Sequence, residues 1–140
     1  MTVSDLMREE VVTASPDESV RTVAERMRDE TVGSVVVVED GRPTGIITDR
    51  DLATRIIAEG EDPETRAAMD VMTRNPATVT ADAGVRELCD QMADACVRRM
   101  PVVDYEGNLA GIITHDDLNT LLADEQRELA AVIAAESPPY

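Results

Sequence analysis

Gly45-Ile46-Ile47-Thr48-Asp49-Arg50-Asp51 lies in the first half of the chain, and Gly111-Ile112-Ile113-Thr114-His115-Asp116-Asp117 lies in the second. Both read Gly-apolar-apolar-Thr-x-x-Asp. Working outward, residues 4–56 align with 69–122 at an offset of 65, which becomes 66 after one inserted residue in a hairpin. Asp5, Met7 and Thr13 fall on Asp70, Met72 and Thr78. Asp17, Val20, Arg21 and Met27 fall on Asp82, Val85, Arg86 and Met92, and Asp51-Leu52 falls on Asp117-Leu118. A match collinear over the whole unit marks an internal repeat. The organisation is a first repeat over 1–60, a linker over 61–68, a second repeat over 69–125, and a C-terminal helix extension and tail over 126–140.

Each copy spells the same elements. A helical turn over 5–8 leads to an extended piece over 11–14. Ser15-Pro16-Asp17-Glu18 has the form of a capping box with Pro at the first helical position. Val20, Val23, Ala24 and Met27 then form one apolar helix face, repeated as Val85, Leu88, Cys89 and Met92. The β-branched run 35–38 reads as a strand buried on both faces. Asp40-Gly41 is a hairpin signal, 43–48 the return strand, and 51–58 a helix stopped by Gly60. The second copy runs through strands over 100–103 and 109–114 to a helix from Asp116 that passes Leu129 and Ile133. Ser137-Pro138-Pro139-Tyr140 reads as a frayed tail. One copy alone buries little apolar surface, so two are expected to pack together, with equivalent clefts about a pseudo-twofold axis.

The composition narrows the function classes. The formal charge is −16, and all 13 basic residues are Arg. Such a surface repels nucleic acid and anionic lipid, so neither is expected as a partner. A GC-rich genome accounts for the missing Lys; the surplus of Asp and Glu favours a halophilic origin, where ~1 M salt shortens the Debye length to about 3 Å. Phe and Trp are absent, so Val, Ile, Leu, Ala and Met must fill the core. Cys89 and Cys96 imply no disulfide framework and read as small buried hydrophobes. No apolar run approaches ~20 residues and no signal pattern opens the chain, so a cytoplasmic protein is expected.

The doubled motif, within its β-α-β-β-α order, resembles the cystathionine-β-synthase (CBS) domain, here as a tandem pair of α/β (α+β) class covering about 4–123. The resemblance implies a regulatory module that binds adenosine-containing ligands (AMP, ADP, ATP or S-adenosylmethionine) and catalyses nothing. It assigns Thr48 and Asp51 to one site and Thr114 and Asp117 to the other, the Thr meeting phosphate and the Asp the ribose hydroxyls. It places the adenine near Thr13 and Val35 in one copy, and near Thr78, Met100 and Pro101 in the other. It assigns Arg98 and Arg99 to phosphate, whereas Gly33-Ser34 stand at the equivalent positions of the first copy. Arg50 and His115 sit inside the motifs as further ligand contacts. The resemblance also implies a homodimer formed through helix faces within 51–58 and 116–135, and a regulated protein partner.

Each feature has a plainer reading. Asp51 and Asp117 suit helix caps, Thr48 and Thr114 strand ends, and Arg98 and Arg99 surface ion pairs. Met7, Met27, Met72 and Met92 read as core. Glu9-Glu10 and Arg28-Asp29-Glu30 read as solvated surface, and His115 as exposed. The functional alternative is a structural dimerisation module with empty clefts. Catalysis is the weakest reading, because the single His lies inside the repeated motif and leaves no Ser-His-Asp or Cys-His arrangement.

Overall fold

A computed structural model describes residues 1–136; the tail expected at 137–140 lies outside them. The first repeat supplies α1 (Val3–Leu6), β1 (Thr13–Ala14), α2 (Val20–Glu30), β2 (Ser34–Glu39), β3 (Arg42–Thr48) and α3 (49–57). The second supplies α4 (Ala68–Val71), β4 (Thr73–Arg74), β5 (Val79–Thr80), α5 (Val85–Ala95), β6 (Arg99–Val103), β7 (Leu109–Thr114) and α6 (His115–Glu136). In both sheets a parallel strand flanks an antiparallel hairpin: β1 on β2–β3, and β5 on β6–β7. Asp40 and Gly41 turn the first hairpin at φ +52° and +78°, the pair of positive values that a two-residue turn requires. Val35, Val36 and Val37 are fully buried, as expected of a strand covered on both faces.

The two repeats exchange their leading segments. Val3 N–H donates to Ala83 C=O at 2.8 Å, and Ser4 N–H to Ala81 C=O at 2.9 Å. At the positions 65 residues on, Ala68 N–H donates to Glu18 C=O at 2.8 Å, and Met69 N–H to Pro16 C=O at 3.0 Å. Arg8 pairs with Ile112 of β7, and β4 pairs with β3 at the matching place. Val3, Leu6 and Met7 therefore pack into the second repeat's core with Leu88, Met92, Val102 and Ile113. Ala68, Val71 and Met72 pack into the first with Val23, Met27, Val35 and Ile47. The crossing explains the motif glycine. A methyl group on Gly45 would lie 2.1 Å from Met72 Sδ, and one on Gly111 would lie 2.7 Å from the Arg8 carbonyl oxygen.

Three local expectations need correction. Helix α2 starts at Ser19, whose Oγ accepts from Thr22 N–H at 3.1 Å, so neither Ser15 nor Pro16 opens it. Glu18 does reach back to Ser15 N–H at 3.4 Å, but this closes a turn before the helix. The carbonyls of Pro16 and Glu18 are taken by the exchanged segment and Ser19 bridges Ala67, so 16–18 form a turn ahead of the helix. Cys89 and Cys96 are exposed rather than buried. The core face of α5 is carried by Leu88 and Met92, Cys89 falls just beyond it, and Cys96 is the left-handed C-cap at φ +54°. Finally, α3 keeps α-type winding only over Asp49–Asp51. Leu52–Ile57 is π-wound, with Ala58 N–H donating to Ala53 C=O at 2.9 Å.

Candidate functional site: the cleft between the repeats

Each motif ends a strand and starts a helix, and its Thr and Asp close on one another. Thr48 is the N-cap of α3: its Oγ1 accepts from Asp51 N–H at 3.1 Å, while Asp51 Oδ2 accepts from Thr48 N–H at 2.9 Å. In the second motif Asp117 Oδ2 accepts from both Thr114 N–H and Thr114 Oγ1–H at 2.9 Å, and Thr114 Oγ1 accepts from Asp117 N–H at 3.3 Å. Thr is thus the cap and Asp its third-residue partner, each satisfying a donor that the helix start would otherwise leave open. One carboxylate oxygen of each Asp remains for other work. Asp117 Oδ1 meets Arg8 Nη2 at 3.1 Å, and Asp51 Oδ1 lies 3.6 Å from Arg55 Nη2. Arg55 Nη1 in turn donates to Val71 C=O at 2.6 Å, so both aspartates are linked through an arginine to an exchanged segment.

Beside the second motif lies a cleft of about 260 Å³, walled by Arg8, Val11 and Val12, by 31–34 before β2, and by Arg98, Arg99, Ile112 and 114–116. It adjoins a wider groove of about 830 Å³ that shares Arg8, Glu10, Val11, Val12 and Val32. Its walls are apolar on the Val11–Val12–Val32 side and cationic where Arg8, Arg98 and Arg99 converge; Glu10 and Asp116 are the acidic groups present. Arg98 lies 4.0 Å from Asp116. Three arginines face two carboxylates on this lining, a local cationic excess in a protein of net charge −16. A methyl group on Gly33 would stand 3.2 Å from the Arg99 guanidinium and 3.5 Å from the Asp49 carboxylate. The bare backbone of the first copy therefore makes room for the second copy's arginine.

Among the residues expected at the sites, Arg98, Arg99, Thr114 and His115 line this cleft, and Asp117 lies behind Thr114. His115 is exposed, with Nδ1 3.1 Å from Asn119 Nδ2. Thr48 and Asp51 sit together at the other motif, and Arg50 is exposed there. Of the positions expected near adenine, Val35, Met100 and Pro101 are buried to within 2% exposure within β2 and β6 and do not line this cleft. Thr13 is exposed outside the cleft, its carbonyl accepting from Arg26 at 2.9 Å, and Thr78 is half-buried before β5. Sequence reasoning missed Arg8, Val11, Val12 and Val32. The adjacent valines 11 and 12 were the available signal, but their position in a loop over the other repeat was not.

Two interlocked β-α-β-β-α repeats with a ligand-sized cleft at a doubled Thr-x-x-Asp motif define a tandem-repeat module of mixed α+β class. The CBS domain family matches the chain twice, over 3–58 and 68–124, and the chain belongs to that family as a tandem pair. A protein of Methanopyrus kandleri is 40% identical over 119 residues, which are 84% of this chain; the chain spans 61% of that protein's length. The crystal structure of the CBS domain pair of protein MJ0100, in complex with 5′-methylthioadenosine and S-adenosyl-L-methionine, superposes with a TM-score of 0.80 at 25% identity, covering 89% of this chain and 98% of that one. The CBS domain protein PAE2072 of Pyrobaculum aerophilum, complexed with AMP, gives 0.77 at 26% identity, covering 84% and 90%.

Proposed function

We propose that this chain is a regulatory module that senses an adenosine-containing ligand (AMP, ADP, ATP or S-adenosylmethionine) between its repeats, without catalysing a reaction. The observation that carries the reading is the cleft at the second motif: apolar on the Val11–Val12–Val32 side, cationic at Arg8, Arg98 and Arg99, and backed by the Thr114–Asp117 pair. An apolar wall suits a base, an aspartate at a helix start suits a ribose diol, and a helix N-terminus beside guanidiniums suits phosphate. The ligands bound by MJ0100 and PAE2072 support the same class.

The signal is a population shift. A ligand touching both repeats favours one relative arrangement, and a surface read by a protein partner changes with it. Assembly is a homodimer through the exposed apolar side chains of α3 and α6, where Ile57, Leu122 and Leu129 are more than half exposed. Among the described residues no helix is long and apolar enough to cross a membrane, and the module works in the cytoplasm. The acidic surface suits a salt-rich one.

Calorimetric titration of the protein with each of the four ligands at high salt tests the reading, with an Asp51→Ala, Asp117→Ala variant alongside. Micromolar binding lost in a folded variant is expected. No heat from any ligand would leave a structural dimerisation module, a reading the existing Arg8–Asp117 and Arg55–Asp51 pairs would then explain.

A further inference from the structure

Arg8 stands where it can decide what the second cleft accepts. Its backbone is pinned, its N–H donating to Ile112 C=O and its C=O accepting from Ile112 N–H, both at 2.9 Å. Its side chain is 67% exposed, lies on the cleft wall, and holds Asp117 Oδ1 at 3.1 Å. Asp117 is only 14% exposed, and its other oxygen is committed to Thr114. The first motif is built differently. Thr73 stands at the position equivalent to Arg8, and Asp51 faces Arg55 from its own helix, whose guanidinium is held by the Val71 carbonyl.

Resting on the nucleotide reading above, we infer that Arg8 is the specificity-determining residue of the second cleft. This cleft prefers anionic, phosphate-bearing adenosine ligands over the uncharged nucleoside. A ribose diol that engages Asp117 Oδ1 competes with Arg8 for it. An incoming phosphate offers the displaced guanidinium a new partner within the swing of one side chain, beside Arg98 and Arg99. Adenosine offers none. Because the backbone is pinned at Ile112, the exchange moves a side chain and leaves the lead-in segment in place.

The test is calorimetric titration of AMP and adenosine into the full chain, with Asp51 intact and with Asp51→Ala to silence the first motif. Position 8 is varied as Arg, R8A and R8K. With Arg8 present, AMP should bind at least about tenfold more tightly than adenosine, the size expected of a charge-assisted contact. R8A should cut that ratio by about fivefold or more while adenosine affinity holds or rises, and R8K should restore most of it. An unchanged ratio in R8A overturns the inference. So does a parallel loss of both ligands that R8K fails to rescue, since that marks a structural role. Equal binding of both probes to the parent chain overturns this inference alone; binding of neither, with no heat from ADP, ATP or S-adenosylmethionine either, overturns the nucleotide reading as well.

Discussion

Replacing Gly111 by Ala probes the exchange of lead-in segments at its tightest point. The added methyl group would lie 2.7 Å from the Arg8 carbonyl oxygen, 2.8 Å from Met7 Sδ and 3.2 Å from Met7 Cγ. The Met7 side chain can turn aside, but the carbonyl cannot, because it accepts from Ile112 N–H at 2.9 Å and Arg8 N–H returns the bond at 2.9 Å. Overpacking costs about 1–3 kcal/mol, and a backbone obstacle places this case near the top of that range. Ala recovers roughly 0.5–1 kcal/mol over Gly inside a strand, so the net loss is about 2 kcal/mol. For a chain of this length that corresponds to a fall in Tm of about 8 °C. Urea unfolding measures the loss, and amide hydrogen exchange places it: Val3 and Arg8 should exchange faster in the variant, while the β2–β3 amides stay protected. A G111A protein within about 0.5 kcal/mol of the parent, with Val3 and Arg8 protected as before, would refute the reasoning.

Further outcomes follow from the same contacts. Ser19→Ala should cost about 1 kcal/mol of stability in urea unfolding, as loss of the α2 cap, while Ser15→Ala should cost less than half as much. Both cysteines should react with a thiol reagent in the folded protein at rates near those of the unfolded chain, since Cys89 and Cys96 are exposed. Burial raises the pKa of the Glu18 carboxyl, but hydrogen bonds from Arg26 and Ser15 outweigh it and hold the group below its ordinary value. A lowered folded-state pKa contributes stability above the unfolded value and loses it as pH falls through the folded one. Glu18→Gln should therefore destabilise the protein near neutrality and remove part of its acid sensitivity below about pH 4.5, read from urea unfolding against pH.

The repeat made most of the fold legible. The Asp40-Gly41 turn, the triple-valine strand and the helix stop at Gly60 depend on neighbours in sequence, and they fall where local chemistry places them. The exchange was not legible, because the pattern around Val3 and Met7 says that they are buried but not in which repeat's core. That single ambiguity accounts for the displaced start of α2, since Pro16 and Glu18 are spent on Ala68 and Met69. It also hid Arg8, whose partner Asp117 is 109 residues away and reached only through the exchange. Val35, Met100 and Pro101, expected near adenine, are buried within β2 and β6. Both strands are covered on both faces, so neighbouring residues are buried alike and a position along the strand does not show which side chains reach a cleft. Asp51 was expected as a helix cap and Thr48 as a strand end; the structure makes Thr48 the cap and Asp51 its third-residue partner, a pairing that the spacing did not announce.

Amide hydrogen exchange with and without saturating AMP tests the central claim most directly, because it reports where a ligand sits without altering a residue. Increased protection should be confined to 8–12, 31–34, 98–99 and 112–116, the segments that wall the cleft from both repeats. Protection confined to one repeat, or appearing instead around Asp82 and Tyr105 beyond the opposite ends of β5 and β6, would contradict a ligand site built between the two.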